Sequence, residues 1–229
     1  MAVAILSSLA RHWLPVGALY AVKSTGVLAA VTIGAASAVR DGHPFNRIGP
    51  ANLMTLARAA LVALVVGLIG EPAVPSVAAG ATAIAVLVEL LDGADGWLAR
   101  RGGVASAFGA RFDMEVDALL IMALAILAWL HGKAGAWVLL SGLLRYGFVA
   151  GGWIAPWLSS PLPPSRRRQA ICVVQIVCLC AAVSPALAPE RSAALAAAAL
   201  VVLAASFALD VGWLWRAKHQ SARPLSELD

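Results

Sequence analysis

The chain has 229 residues, 61% of them hydrophobic and 13% charged, with a mean hydropathy of +0.85 and a formal net charge of +5. Soluble domains are roughly half apolar and about a quarter charged, so this composition excludes disorder, a nucleic-acid-binding domain and most soluble folds. It calls for lipid as solvent, where backbone groups must be satisfied within each segment, and the abundance of Ala and Leu predicts helical spans.

In chain order, the first apolar stretch is 13–39, interrupted by Lys23. It reads either as an extra span with Lys23 facing the bundle or as a shorter segment lying partly in the interface. It runs past the length of a signal-peptide core, which points to a retained anchor. Spans of about 20 residues follow at 51–70, 74–91, 112–131, 134–157, 169–188 and 192–215, with Pro and Gly punctuating the breaks. The expected architecture is an all-α integral membrane protein. A six-helix transmembrane core bundle is joined by an extra N-terminal transmembrane or interfacial helix. The divisions are a hydrophobic N-terminal segment at 1–49, a membrane domain at 50–216 and a polar tail at 217–229.

Charge orients this stack. One side collects Arg40, Arg47, Arg100, Arg101, Arg166, Arg167, Arg168, Arg216, Lys218 and Arg223 on the loops at 40–50, 92–111 and 158–168 and on the tail. The other side holds Lys133 and Arg191, with Arg11 if the first stretch spans. Basic loops stay in the cytoplasm, so the long loops face that way and draw on cytoplasmic substrates. Trp129, Trp137, Trp153, Trp157, Trp213 and Trp215 fall near span ends, as an aromatic belt does. Cys172, Cys178 and Cys180 share one apolar stretch and read as buried thiols. His12, His43, His131 and His219 read as interface residues, and Asp210 needs either a partner Arg or a helix-end position.

Charges inside spans are costly and carry information. Asp92 and Asp95 end the 74–91 span three residues apart, and Asp113 and Asp117 open the next span four apart. Each pair shares a helical face, so two antiparallel helices offer facing carboxylates at the cytoplasmic edge. Any one of these acids is explained by pairing with Arg100, Arg101 or Arg111 in a solvated loop. Four together repel unless cations relieve them. All-carboxylate ligands select hard ions, Mg2+ or Mn2+, and two such ions form the usual clamp for phosphoryl chemistry. Gly96 and Gly109 beside them allow close approach of a ligand or of a neighbouring helix. Glu115 lies on the far side of the helix from Asp113 and Asp117, outside such a metal shell.

The stretch DGADGWLARRGGVASAFGARFDMEVD resembles the signature of the CDP-alcohol phosphotransferase family, D-x2-D-G-x2-A-R-x8-G-x3-D-x3-D. Asp92, Asp95, Gly96, Ala99, Arg100, Gly109, Asp113 and Asp117 meet it at every spacing. The resemblance extends through the six spans after residue 50 and does not obviously cover 1–49. It implies that a phosphatidyl group passes from a CDP-linked lipid such as CDP-diacylglycerol to an alcohol, with release of CMP, in phospholipid biosynthesis. It further implies that Asp92, Asp95, Asp113 and Asp117 hold two Mg2+ or Mn2+ ions. Asp117 is then also the general base, and Gly96, Ala99, Arg100 and Gly109 serve the CDP-lipid. The implied setting is a bacterial-type inner membrane with the site facing the cytoplasm, surrounding membrane lipids, no nucleic acid, and a homodimer formed through membrane helices.

Asn52, Thr55 and Arg58 read N-x2-T-x2-R and look like the family's shorter upstream motif. They offer hydrogen bonds near the diphosphate or metal shell, with Arg58 pairing a phosphate or Glu89, although Asn52 also suits a helix cap. For the acceptor, Arg145 and the run Arg166, Arg167 and Arg168 suit a phosphorylated polyol through bidentate contacts, although Arg145 also suits a pair with Glu115 or another acid. The same run also serves as an anchor on anionic lipid heads. Asp117 is followed by Ala118, where phosphatidylglycerophosphate synthases often carry Lys, so the small alcohol stays open. A prenyl transferase on an isoprenoid diphosphate usually carries a D-D-x-x-D cluster, which is absent here. An ion transporter predicts acids near the midplane or across a repeat, whereas these gather at one edge.

Overall fold

The computed structural model describes the backbone of residues 2–40, 50–102 and 107–221. Side chains of 36–53, 94–108, 110 and several positions near the two ends lie outside the described residues. Every described element is helical. Helix α1 spans Ala2–Trp13, α2 Leu19–Arg40, α3 Pro50–Gly67, α4 Pro75–Gly102 and α5 Ala107–Leu130. A 3-10 turn at Ala136–Leu139 leads into α6, Leu140–Ile154, and another at Pro156–Ser159 precedes α7, Arg166–Val183, and α8, Pro189–Ser221.

Local chemistry explains the boundaries. Pro50, Pro75 and Pro189 each open a helix, where a missing N–H costs nothing and the fixed φ is already helical. Helix α5 closes on Gly132 at φ +66°, with the Lys133 amide donating to the Ala128 carbonyl at 2.8 Å and the Gly132 amide to Trp129 at 3.0 Å. This is a Schellman closure, and its left-handed residue favours glycine.

Helix α3 is central and packs against α2, α4 and α5; α7 packs on α4, α5 and α8, and α6 rests on α5 and α8. The core interleaves Val62, Val65 and Leu68 of α3 with Ala81, Ala85 and Val88 of α4, Leu120, Leu124 and Leu127 of α5, and Ile176 and Leu179 of α7. These recur every three or four residues, one apolar stripe per helix. The outer faces are apolar as well. Val86, Leu87 and Leu90 of α4, Val173 and Val177 of α7, and Val201 and Leu209 of α8 are exposed. Among the described residues three segments, Pro75–Gly93, Ala136–Ile154 and Pro189–His219, are long and apolar enough to cross a membrane. Large apolar side chains facing outward suit lipid rather than water.

The structure revises three expectations. The stretch 13–39 is not one continuous segment: Trp13 ends α1 and α2 begins at Leu19. Lys23 reaches past the end of α3 to Glu71, at 2.6 Å, and to the Ile69 carbonyl at 2.9 Å. The expected loop at 92–111 is mostly helix, since α4 continues to Gly102 and α5 begins at Ala107. The last helix runs to Ser221, into the segment read as a tail, of which 222–229 lie outside the described residues.

Candidate active site

The site forms between the second half of α4 and the first half of α5. Helix α5 presents Asp113 and Asp117 one turn apart on one face, and α4 presents Asp92, ten residues before its last residue. Helix α3 packs against both and supplies Thr55 and Arg58, three residues apart and both buried. The Arg58 guanidinium is the focus of the acids. Its Nη1 meets the Asp92 carboxylate at 2.7 Å and also pairs with Asp113, while Nη2 pairs with Asp117 at 2.5 Å. The Arg58 side chain is 0% exposed, whereas those of Asp92 and Asp113 are 33% and 36% exposed and that of Asp117 is 19%. Arg58 is therefore the floor, and the carboxylates keep an open side towards the mouth.

Two further side chains line this cluster from outside the signature. The Cys172 thiol of α7 lies 3.9 Å from the second Asp117 carboxylate oxygen. A lone apolar-span cysteine gives no sequence signal; only its place near the start of α7, which packs on α5, brings it here. Glu89, one turn before Asp92, is within electrostatic reach of Asp92, Asp113, Asp117 and Arg58. Glu89 is one of the two partners the sequence offers Arg58, beside a phosphate, but among the described residues the guanidinium's ion pairs go to the aspartates. The three-residue step from Glu89 to Asp92 was the available signal.

The basic residues assigned to the acceptor are not brought together. Arg145 pairs with Glu115 at 2.5 Å, on the flank of α5 turned away from Asp113 and Asp117. Arg167 donates to the Ser206 hydroxyl at 2.7 Å and to the nearly buried Asp210 at 2.5 Å, and Arg168 approaches Asp210 at 3.3 Å. Asp210 thus has its partner Arg residues, which fasten α7 to α8. Arg166 is exposed at the first position of α7. Gly109 sits in the first turn of α5, one turn before Asp113. Asn52 belongs to α3, and Asp95, Gly96, Ala99 and Arg100 belong to α4, with side chains outside the described residues.

The donor set fits hard divalent cations, since it consists of partly exposed carboxylates gathered from two helices. Among the described residues no three side chains are already closed on one cation position. Asp92, Asp113 and Asp117 close on Arg58 instead.

The family model for CDP-alcohol phosphatidyltransferase matches residues 49–209, and the chain belongs to that family. Its members are transferases that bind a CDP-alcohol and an acceptor alcohol, transfer a phosphatidyl group between them and generally use divalent metal ions. No curated protein and no solved structure shows significant similarity to the chain.

Proposed function

We propose that the chain transfers the phosphatidyl group of CDP-diacylglycerol to a small alcohol, with release of CMP. The observation that carries this reading is the convergence of Asp92, Asp113 and Asp117 from two helices onto Arg58, with their side chains partly exposed. These three, with Asp95, are the residues to hold two Mg2+ or Mn2+ ions, which when bound neutralise the diphosphate and stabilise the departing CMP. Asp117 accepts the proton of the alcohol. The alcohol oxygen then bonds to the phosphatidyl phosphorus, and the bond from that phosphorus to the CMP oxygen breaks. Asn52, Thr55 and Arg58 bind the diphosphate end of the CDP-lipid, while Gly96, Ala99, Arg100 and Gly109 make room for its cytidine. A phosphorylated polyol is the acceptor class that suits Arg145 and Arg166 to Arg168, with exposed Arg166 the nearest to hand. Arg145, Arg167 and Arg168 would first have to leave Glu115 and Asp210.

Residues 50–216 are the working domain in this reading, with α3–α8 as a six-helix transmembrane core. The positive-inside bias turns the site to the cytoplasm of a bacterial-type inner membrane, and a homodimer is the assembly implied by the family. The test is an acceptor screen. Purified protein, CDP-diacylglycerol and Mn2+ or Mg2+ are mixed in turn with glycerol 3-phosphate, inositol, inositol phosphate, serine and choline. CMP release above hydrolysis identifies the acceptor; none with any alcohol sinks the proposal.

A further inference from the structure

The position of Arg58 suggests more than phosphate recognition. One Nη1 is shared by Asp92 and Asp113 while Nη2 holds Asp117, so a single guanidinium gathers three carboxylates from two helices. It does so with no exposure of its own side chain. A buried guanidinium without partners is costly, and three facing carboxylates without a cation repel, so each side needs the other. The remaining donor, Nε, is buried without a hydrogen-bond partner among the described residues, so no bond on the inner edge locks the guanidinium in place. Three carboxylates thus meet one guanidinium, with Glu89 in electrostatic reach.

We infer that Arg58 is the chain's own counter-ion for the aspartates, competing with the divalent cation for Asp92, Asp113 and Asp117 and freed towards the diphosphate when the site is loaded. This rests on the metal-dependent reading above. Arg58 is thereby a positioning residue: it holds the acids together without metal and sets how tightly metal enters. A merely structural Arg58 predicts that removing it loosens metal binding. The competing counter-ion predicts the reverse, because a unit positive charge a few ångströms away opposes a divalent ion.

The experiment measures Mn2+ binding by the electron-paramagnetic signal of free Mn2+, on purified full-length protein in detergent, beside thermal unfolding with and without Mn2+. Arg58→Gln is expected to bind Mn2+ at least about tenfold tighter than wild type. Its metal-free form is expected to melt lower, so that its Tm gain on adding Mn2+ exceeds the wild-type gain. Arg58→Lys, which keeps one charge on a group too compact to span three carboxylates, is expected to fall between them and covers a poorly folding Arg58→Gln. Equal or weaker Mn2+ binding in the variants, with wild type binding normally, overturns the inference and leaves the metal-dependent reading standing. A wild type that binds neither Mn2+ nor Mg2+ overturns that reading itself, and the inference with it.

Discussion

Asp92 and Asp117 both reach Arg58, yet their chemistry is separable by substitution. Asp92→Asn keeps the side chain's size and replaces a charged oxygen pair with one neutral oxygen. As a metal ligand, Asp92 predicts that this variant loses CMP release at least about 100-fold at ordinary Mn2+ and regains part of it at high Mn2+. Full activity at ordinary Mn2+ would remove Asp92 from the ligand set. Asp117 lies deeper, at 19% exposure, with Arg58 on one oxygen and Cys172 beside the other. If its main role is that of base, Asp117→Asn should retain Mn2+ and CDP-lipid binding while transfer falls about 10²- to 10⁴-fold. Titration of both ligands beside a turnover assay reads the two quantities separately. Loss of Mn2+ binding together with transfer would make Asp117 a ligand alone, and near-wild-type transfer would exclude the base role.

The helices that carry these residues are held by close approach and by polar clasps between neighbours. Helix α6 meets α5 at Gly142, where a methyl group would come 3.0 Å from the Met122 backbone Cα and 2.9 Å from its Cβ. Small residues permit such approach in membrane bundles. The Met122 side chain can bend away, but its backbone cannot, so Gly142→Ala forces α5 and α6 apart. The expected cost is roughly 1–3 kcal/mol, seen as a lower Tm in detergent with little change in Mn2+ affinity, since Met122 lies beyond the acids along α5. A wild-type Tm would contradict this helix contact. Arg167 and Arg168 on Asp210 clasp α7 to α8 in the same way, which gives the acid in the last apolar helix a structural purpose. Helix α7 in turn brings Cys172 to Asp117.

Across the whole molecule, one carboxylate helps to fasten the N-terminal pair of helices to the rest. Glu71, in the turn between α3 and α4, accepts from the Gly17 amide at 2.6 Å and from Lys23 at 2.6 Å. Tyr20 donates to the Leu64 carbonyl at 3.3 Å, and Gly67 leaves room for Tyr20 and Ser24. Burial pushes the Glu71 carboxyl upward, but the Gly17 amide and Lys23 outweigh it and hold the group below its ordinary value of 4.5. A depressed folded value means that the stabilisation is present above the ordinary carboxylate range and is lost as pH falls through the depressed value. Thermal unfolding in detergent should therefore lose stability as pH falls below the ordinary carboxylate value of 4.5, and Glu71→Gln should remove part of that dependence while lowering Tm at neutral pH. An unchanged pH profile in Glu71→Gln would show that Glu71 is not the titrating clasp.

The sequence by itself determined the helical class and the approximate place of every helix from Pro50 onward, because long apolar runs punctuated by Pro and Gly leave the backbone no other satisfied state. It also determined that Asp113 and Asp117 share a face, since a spacing of four is a property of any helix. It misplaced the break before α2 and the length of α4, because hydropathy marks where side chains suit lipid, not where the helical hydrogen bonds stop: α4 runs past its apolar segment to Gly102. Partners were the other blind spot. Arg58 had Glu89 and a phosphate as candidates, Arg145 had Glu115 or another acid, and Cys172 had none. The choice of three aspartates for Arg58, Glu115 for Arg145 and Asp117 for Cys172 follows from how α3, α6 and α7 dock on α4 and α5. That docking was decided only by tertiary packing, where helix crossings set distances between residues tens of positions apart and no local spacing encodes them.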